Sequence, residues 1–115
     1  MAESVSEFYY MLAVYVPESH CDMVKDALFD AGAGRVGAYD RCAWETAGRG
    51  QYRPLPGSEP YAGETGTVER AAEMKVETVC HARFIDGVIQ ALRQAHPYET
   101  PAFHYWRVYG ITEEA

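Results

Sequence analysis

Apolar positions along the chain fall into alternating and helical registers that predict six elements. Residues 8–16, FYYMLAVYV, are apolar at odd and even positions alike, the pattern of a strand covered on both faces. Pro17 closes that run. Ser19 is the expected N-cap of a helix with Asp22 near its positive end; Val24, Ala27, Leu28 and Ala31 then recur three and four residues apart, and Gly32 supplies the C-cap. Residues 36–45, VGAYDRCAWE, predict a second strand with Cys42 and Trp44 on one face and Tyr39, Arg41 and Ala43 on the other.

The patterning then lapses. Residues 46–67, TAGRGQYRPLPGSEPYAGETGT, are rich in glycine and proline and poor in aliphatics, which predicts a long loop and not another element. Alternation returns between Val68 and His81: Met74, Val76, Thr78 and Cys80 point one way and Glu73, Lys75 and Glu77 the other, a half-exposed strand with cross-strand partners such as Arg41. A helix over residues 84–95 is marked by Ile85, Val88, Ile89, Leu92 and Ala95, and Pro97 stops it, leaving His96 at the boundary. The aromatic run 102–109 predicts a last strand, and the acidic tail ITEEA is expected to fray.

The order β-α-β-β-α-β predicts an α+β fold of the ferredoxin-like kind, an antiparallel sheet with two helices on one face, formed by residues 1–115 as a single domain. Such a sheet leaves its second face bare. The first strand is apolar on both sides and the last is aromatic, so that face is expected to be covered by other copies of the chain.

Charge and cysteine usage narrow the function classes. The formal net charge of −7 over 115 residues opposes binding to nucleic acid or to anionic membrane. MAESVSE carries acids where a secretory signal needs positive charge, and no apolar run is long enough to span a bilayer, so the expected location is cytoplasmic. Three cysteines without a CxxC pair point to reduced thiols, with Cys42 and Cys80 expected in the core.

Candidate chemistry gathers in two places. Arg49 and Arg53, with backbone amides freed by the glycines around them and Tyr52 between, would form a cradle for a small anion; the plainer reading is a solvated loop tip. At the turn AHPYETP, His96, Tyr98 and Glu99 lie within four residues, and His96 with Glu99 is the best pair for a divalent metal ion or for acid–base chemistry. Cys80 and His81, adjacent on a strand, point to opposite faces and make a poor metal pair. GAGRVG, residues 32–37, spells a dinucleotide motif but lies after a helix and before a strand, the reverse of the order that motif requires.

These residues carry a family resemblance. AHPYETP resembles the motif near the C-terminus of the CutA divalent-cation tolerance proteins, and the element order is that of CutA and of the PII signalling proteins, both ferredoxin-like trimers. Residues 32–77 followed by AHPYE resemble the domain inserted in the middle of many Nif-three-like proteins, also found free-standing. Gly34, Gly37, Tyr39, Cys42, Gly48, Gly50, Pro54, Gly57, Pro60, Gly63, Glu73, Glu77 and His96 to Glu99 fall on that pattern, while Trp44 and Tyr52 stand where the family commonly has phenylalanine. The dinuclear metal site of full-length Nif-three-like proteins lies in the segments flanking the insert, and this sequence contains neither, so their hydrolase labels do not transfer. The resemblance to CutA and PII implies a non-enzymatic homo-oligomer, a trimer, binding a small anionic ligand or a metal ion in clefts between subunits through Arg49, Tyr52, Arg53, His96, Tyr98 and Glu99. The alternatives are a protein-interaction module without a ligand and a small enzyme using His96 and Glu99.

Overall fold

A computed structural model describes residues 7–111 and contains β1 (Tyr9–Pro17), α1 (Cys21–Asp30), β2 (Trp44–Tyr52), β3 (Glu69–His81), α2 (Ile85–Ala95) and β4 (Phe103–Val108). The strands form one antiparallel sheet in the order β2-β3-β1-β4, which is the ferredoxin-like arrangement expected from the sequence. The apolar register of β1 decides its central place. Leu12, Val14 and Val16 face the helices and are fully buried with Val76 of β3, Val24 and Leu28 of α1, and Val88 and Leu92 of α2. Each such side chain contributes about 1.5–3 kcal/mol by leaving water. Among the described residues no helix is long and apolar enough to cross a membrane.

Several element boundaries differ from the sequence expectation. Pro17 ends β1 but also starts a 3₁₀ turn, Glu18–His20, that absorbs Ser19; the Ser19 hydroxyl pairs with the His20 ring at 2.8 Å, and α1 begins at Cys21 without a side-chain cap. Gly32 behaves as expected, adopting a positive φ of 120° just past the end of α1. Of residues 36–45, expected as the second strand, only Trp44 and Glu45 are strand, as the first residues of β2. Val36 and Tyr39 exchange two backbone hydrogen bonds of 2.9 Å around Gly37, an isolated bridge, and Arg41 then takes a φ of 55°. Arg41 does not pair across the sheet either, because its guanidinium bridges Asp26 and Asp30 of α1 at 3.2 and 3.1 Å.

The larger correction concerns residues 46–52, expected to open the long loop. They belong to β2, paired with β3 from Trp44↔Glu77 to Tyr52↔Glu69. The partner strand supplies the order: β3 runs for 13 residues, but β1 reaches only as far as Pro17↔Glu73, so Arg49–Tyr52 and Glu69–Ala72 continue as a two-stranded arm beyond the body of the sheet. The arm helps stretch the molecule to 53 × 26 × 21 Å. The loop proper is therefore residues 53–68. Of the acidic tail, residues 112–115 lie outside the described residues.

Candidate functional site

Where the arm leaves the body, four separate stretches of the chain close around a cavity of about 350 Å³. β2 and the loop that follows it contribute Gly50, Tyr52, Pro54, Pro60 and Tyr61, β3 contributes Glu73, and the turn after α2 contributes Tyr98 and Glu99, with Tyr15 of β1 completing the wall.

The turn is held from below by His96. Its Nδ1 accepts a hydrogen bond from the Tyr98 N–H at 3.1 Å, so the proton lies on Nε2, which donates to the Tyr15 carbonyl at 2.7 Å. Burial pushes the imidazole below its ordinary pKa, against the smaller opposing pull of the Tyr15 carbonyl and Glu73. His96 thus joins α2, the turn and β1 as a neutral ring with both nitrogens used.

This geometry corrects two expectations about His96. A metal ion or a proton in flight needs a free ring nitrogen, and His96 has none to offer; the Glu99 carboxylate meanwhile accepts from the Glu59 N–H at 2.9 Å, tying the loop to the turn. Among the described residues no group of three or more His, Cys, Asp or Glu side chains is placed to hold a metal. The donor set at the turn does not fit the divalent ion that the CutA resemblance implies.

Tyr98 projects from that turn into the cavity. Its hydroxyl donates to Glu73 Oε2 at 2.8 Å, and its ring stands 5.7 Å from Tyr52 and 6.0 Å from Tyr61. Burial, the hydrogen bond to Glu73 and the charge of that carboxylate together push the Tyr98 phenol far above its ordinary pKa, so it remains a donor. Tyr52 shifts upward as well, chiefly through burial and then through Glu69 and Glu73, and its hydroxyl donates to the Ala62 carbonyl at 2.8 Å.

Glu73 was expected on an exposed strand face, yet only 8% of its surface is accessible. The reason lies on the neighbouring strand. Gly48 pairs with Glu73 and Gly50 follows two residues on, on the same face; a Cβ built at Gly50 would collide with Glu73 Oε1. Glycines two apart on a strand leave a trough, and the carboxylate lies in it.

The arginine cradle is not assembled. The amides of Gly48 and Gly50 lie in a strand and not in an open loop, which removes the anion nest. Arg49 is exposed beside a second cleft of about 440 Å³ that shares Tyr15, Gly50 and Glu73 with the first and includes Lys75 and Glu77, and Arg53 is exposed and borders neither. Tyr52, Tyr98 and Glu99 are brought together, while Glu73, Tyr61 and Tyr15 went unrecognised. Glu73 was signalled in the sequence by the Gly48/Gly50 spacing, a mark of a side chain lying across a strand. Nothing local to Tyr15 or Tyr61 distinguished them from other surface tyrosines.

Known proteins resemble this chain in sequence and in shape. No protein-family model matches it. The GTP cyclohydrolase 1 type 2 homolog of Mycobacterium bovis is 49% identical over 90 residues, a match covering 78% of this chain and 24% of that protein. The chain therefore spans about a quarter of the length of this relative (24%). A Bacillus cereus protein related to NIF3 superposes with a TM-score of 0.80 at 34% identity, over 97% of this chain and 29% of the other. CutA from Xylella fastidiosa superposes with a TM-score of 0.63 over 89% of this chain and 85% of its own, at 18% identity, a likeness of fold alone. The chain thus corresponds to one domain-sized segment of the Nif-three-like proteins, built on the ferredoxin-like plan it shares with CutA.

Proposed function

We propose that this chain is a non-catalytic, single-domain module that assembles with copies of itself, as a trimer of the CutA and PII kind, and holds a small ligand in the tyrosine-lined cavity close to where subunits meet. The observation that carries the reading is the cavity itself. It is formed by four stretches of the chain brought together only by folding, its Tyr52 and Tyr98 hydroxyls are already fixed by hydrogen bonds, and its volume of about 350 Å³ lies in the range of small-molecule sites. Pre-set polar groups favour binding. Acid–base turnover is less well served, since His96 has both nitrogens engaged.

Self-association is supported by the face opposite the helices. There Trp106 and Trp44 are 46% and 69% exposed, alongside the half-buried Met11 and Tyr15, and among the described residues β2 and β4 each present an unpaired edge. The cyclohydrolase name of the relatives belongs to proteins about three times as long and is not part of the proposal.

Native mass spectrometry of protein purified gently from its own host tests both halves together. A trimer carrying extra mass is the expected result. A bare trimer would sink the ligand half and leave an interaction module, and a monodisperse monomer would sink the assembly.

A further inference from the structure

We infer that the tyrosine cavity recognises an organic cation, an ammonium or guanidinium group, seated against Glu73 and ringed by Tyr52, Tyr61 and Tyr98. The inference rests on the reading of this cavity as a ligand site and assigns the ligand's chemistry, which reverses the anion expected from the sequence. Three observations point the same way.

The first is the state of Glu73. The side chain is more than nine-tenths buried and lines the cavity, yet only Oε2 has a partner, the Tyr98 hydroxyl; Oε1 accepts from no described residue. A buried carboxylate with half its acceptor capacity unused is unfavourable until a donor arrives, most of all one that brings positive charge. The Gly50 trough shows that the chain makes room for the carboxylate at this spot and does not turn it to solvent.

The second is the composition of the wall. It contains two carboxylates, Glu73 and Glu99, and no lysine or arginine. The hydroxyls of Tyr52 and Tyr98 spend their protons on Ala62 and Glu73, so neither has a proton left to donate to an anion. An anion would meet acceptors and negative charge. A cation meets partners.

The third is the ring geometry. Tyr52 and Tyr61 stand 5.7 and 6.0 Å from Tyr98 at interplanar angles of 61° and 48°, a splayed cluster and not a stack. A cluster of tyrosine rings beside a carboxylate is a setting that attracts ammonium groups to any ring face they reach. Two sources could supply the group: a free small amine, or a lysine or arginine side chain of a second copy reaching across a subunit boundary.

Titration followed by NMR of the tyrosine ring signals tests the inference, using two matched pairs that differ in charge: n-butylammonium against 1-butanol, and choline against 3,3-dimethylbutan-1-ol. The charged member of each pair is expected to shift the Tyr52, Tyr61 and Tyr98 signals and to bind about tenfold more tightly than its neutral partner, an advantage lost in Glu73→Gln. Tyr98→Phe, which keeps the ring and frees the carboxylate, guards against a Glu73 variant that misfolds and is expected to retain the preference for charge. Equal binding of charged and neutral probes would overturn the cation assignment and leave the ligand site standing. Stronger shifts with inorganic phosphate would overturn it in favour of an anion. No shift with any probe would overturn both readings. Ring signals that move with protein concentration alone, and cease to do so in Glu73→Gln, would assign the cation to the second copy.

Discussion

His96 shows how a titratable side chain takes its work from its surroundings. His96 is a structural joint: removing it leaves the Tyr15 carbonyl and the Tyr98 amide without their partner, and His96→Ala should destabilise the fold by about 1–3 kcal/mol for each group left unsatisfied and buried. The depressed pKa sets the sign of the pH effect. In the unfolded chain the imidazole takes its proton near 6.5, more readily than the buried ring does. The stabilisation is therefore complete above about pH 6.5 and is lost as pH falls through the folded value. Urea unfolding of both proteins across pH 5 to 8 checks this, and parallel pH profiles for wild type and His96→Ala would refute it. The thiols sort by burial in the same way. Burial pushes Cys80 up to about 11, and burial with the Glu45 carboxylate raises Cys21, whereas Cys42, expected in the core, is only half-buried, with its Sγ 3.7 Å from the Asp40 carbonyl. A thiol reagent at mild alkaline pH should label Cys42 first in the native protein and all three cysteines equally in denaturant. Rapid native labelling of Cys80 would contradict this.

At the level of elements, the junctions constrain the chain more tightly than the elements themselves. α1 and α2 lie side by side on the sheet, and the turn after α1 passes so near the start of α2 that a Cβ at Gly32 would come 2.8 Å from the Phe84 ring, at a φ of 120°. Gly32→Ala combines that clash with a backbone conformation unfavourable for any L side chain, and we expect a loss of about 1–3 kcal/mol, read as a lowered urea midpoint. Gly50→Ala differs in kind. Its backbone is ordinary and the obstruction is the tip of a flexible carboxylate, so stability should change by less than about 1 kcal/mol while Glu73 is driven from the trough. Loss of the Tyr98–Glu73 hydrogen bond, seen as a shifted Tyr98 ring signal in an otherwise native spectrum, is the expected outcome; an unmoved signal would show that Glu73 has room elsewhere.

For the molecule as a whole, the two faces of the sheet carry different tasks. One face is closed by helices, and its Leu, Val and Ile side chains account for the core. The other carries Trp106 across from Met11 and Trp44 across from Glu77, with β2 and β4 as the outer strands of the sheet. If copies meet there, Trp106→Glu should shift sedimentation toward the monomer while leaving the far-ultraviolet spectrum unchanged, since the side chain is not part of the helix-facing core. Unchanged assembly would move the contact to another surface.

Sequence by itself determined the elements whose order comes from burial. β1, β3, α1 and α2 carry apolar periodicity because each presses a fixed face on a common core, and that periodicity with the proline and glycine stops gave the ferredoxin-like order directly. It also singled out the turn at His96, where helix, proline and aromatic strand meet. Tertiary structure decided what periodicity does not report. The arm strand β2 has almost no buried side chains, and its order comes from hydrogen bonds to β3, which leave no hydrophobic trace. The character of the site was hidden for the same reason. Whether Glu73 faces water or a ring of tyrosines depends on Gly50 of one strand, Tyr98 of a distant turn and Tyr61 of a loop arriving at one point, and contacts so far apart along the chain are set by packing and not by local pattern.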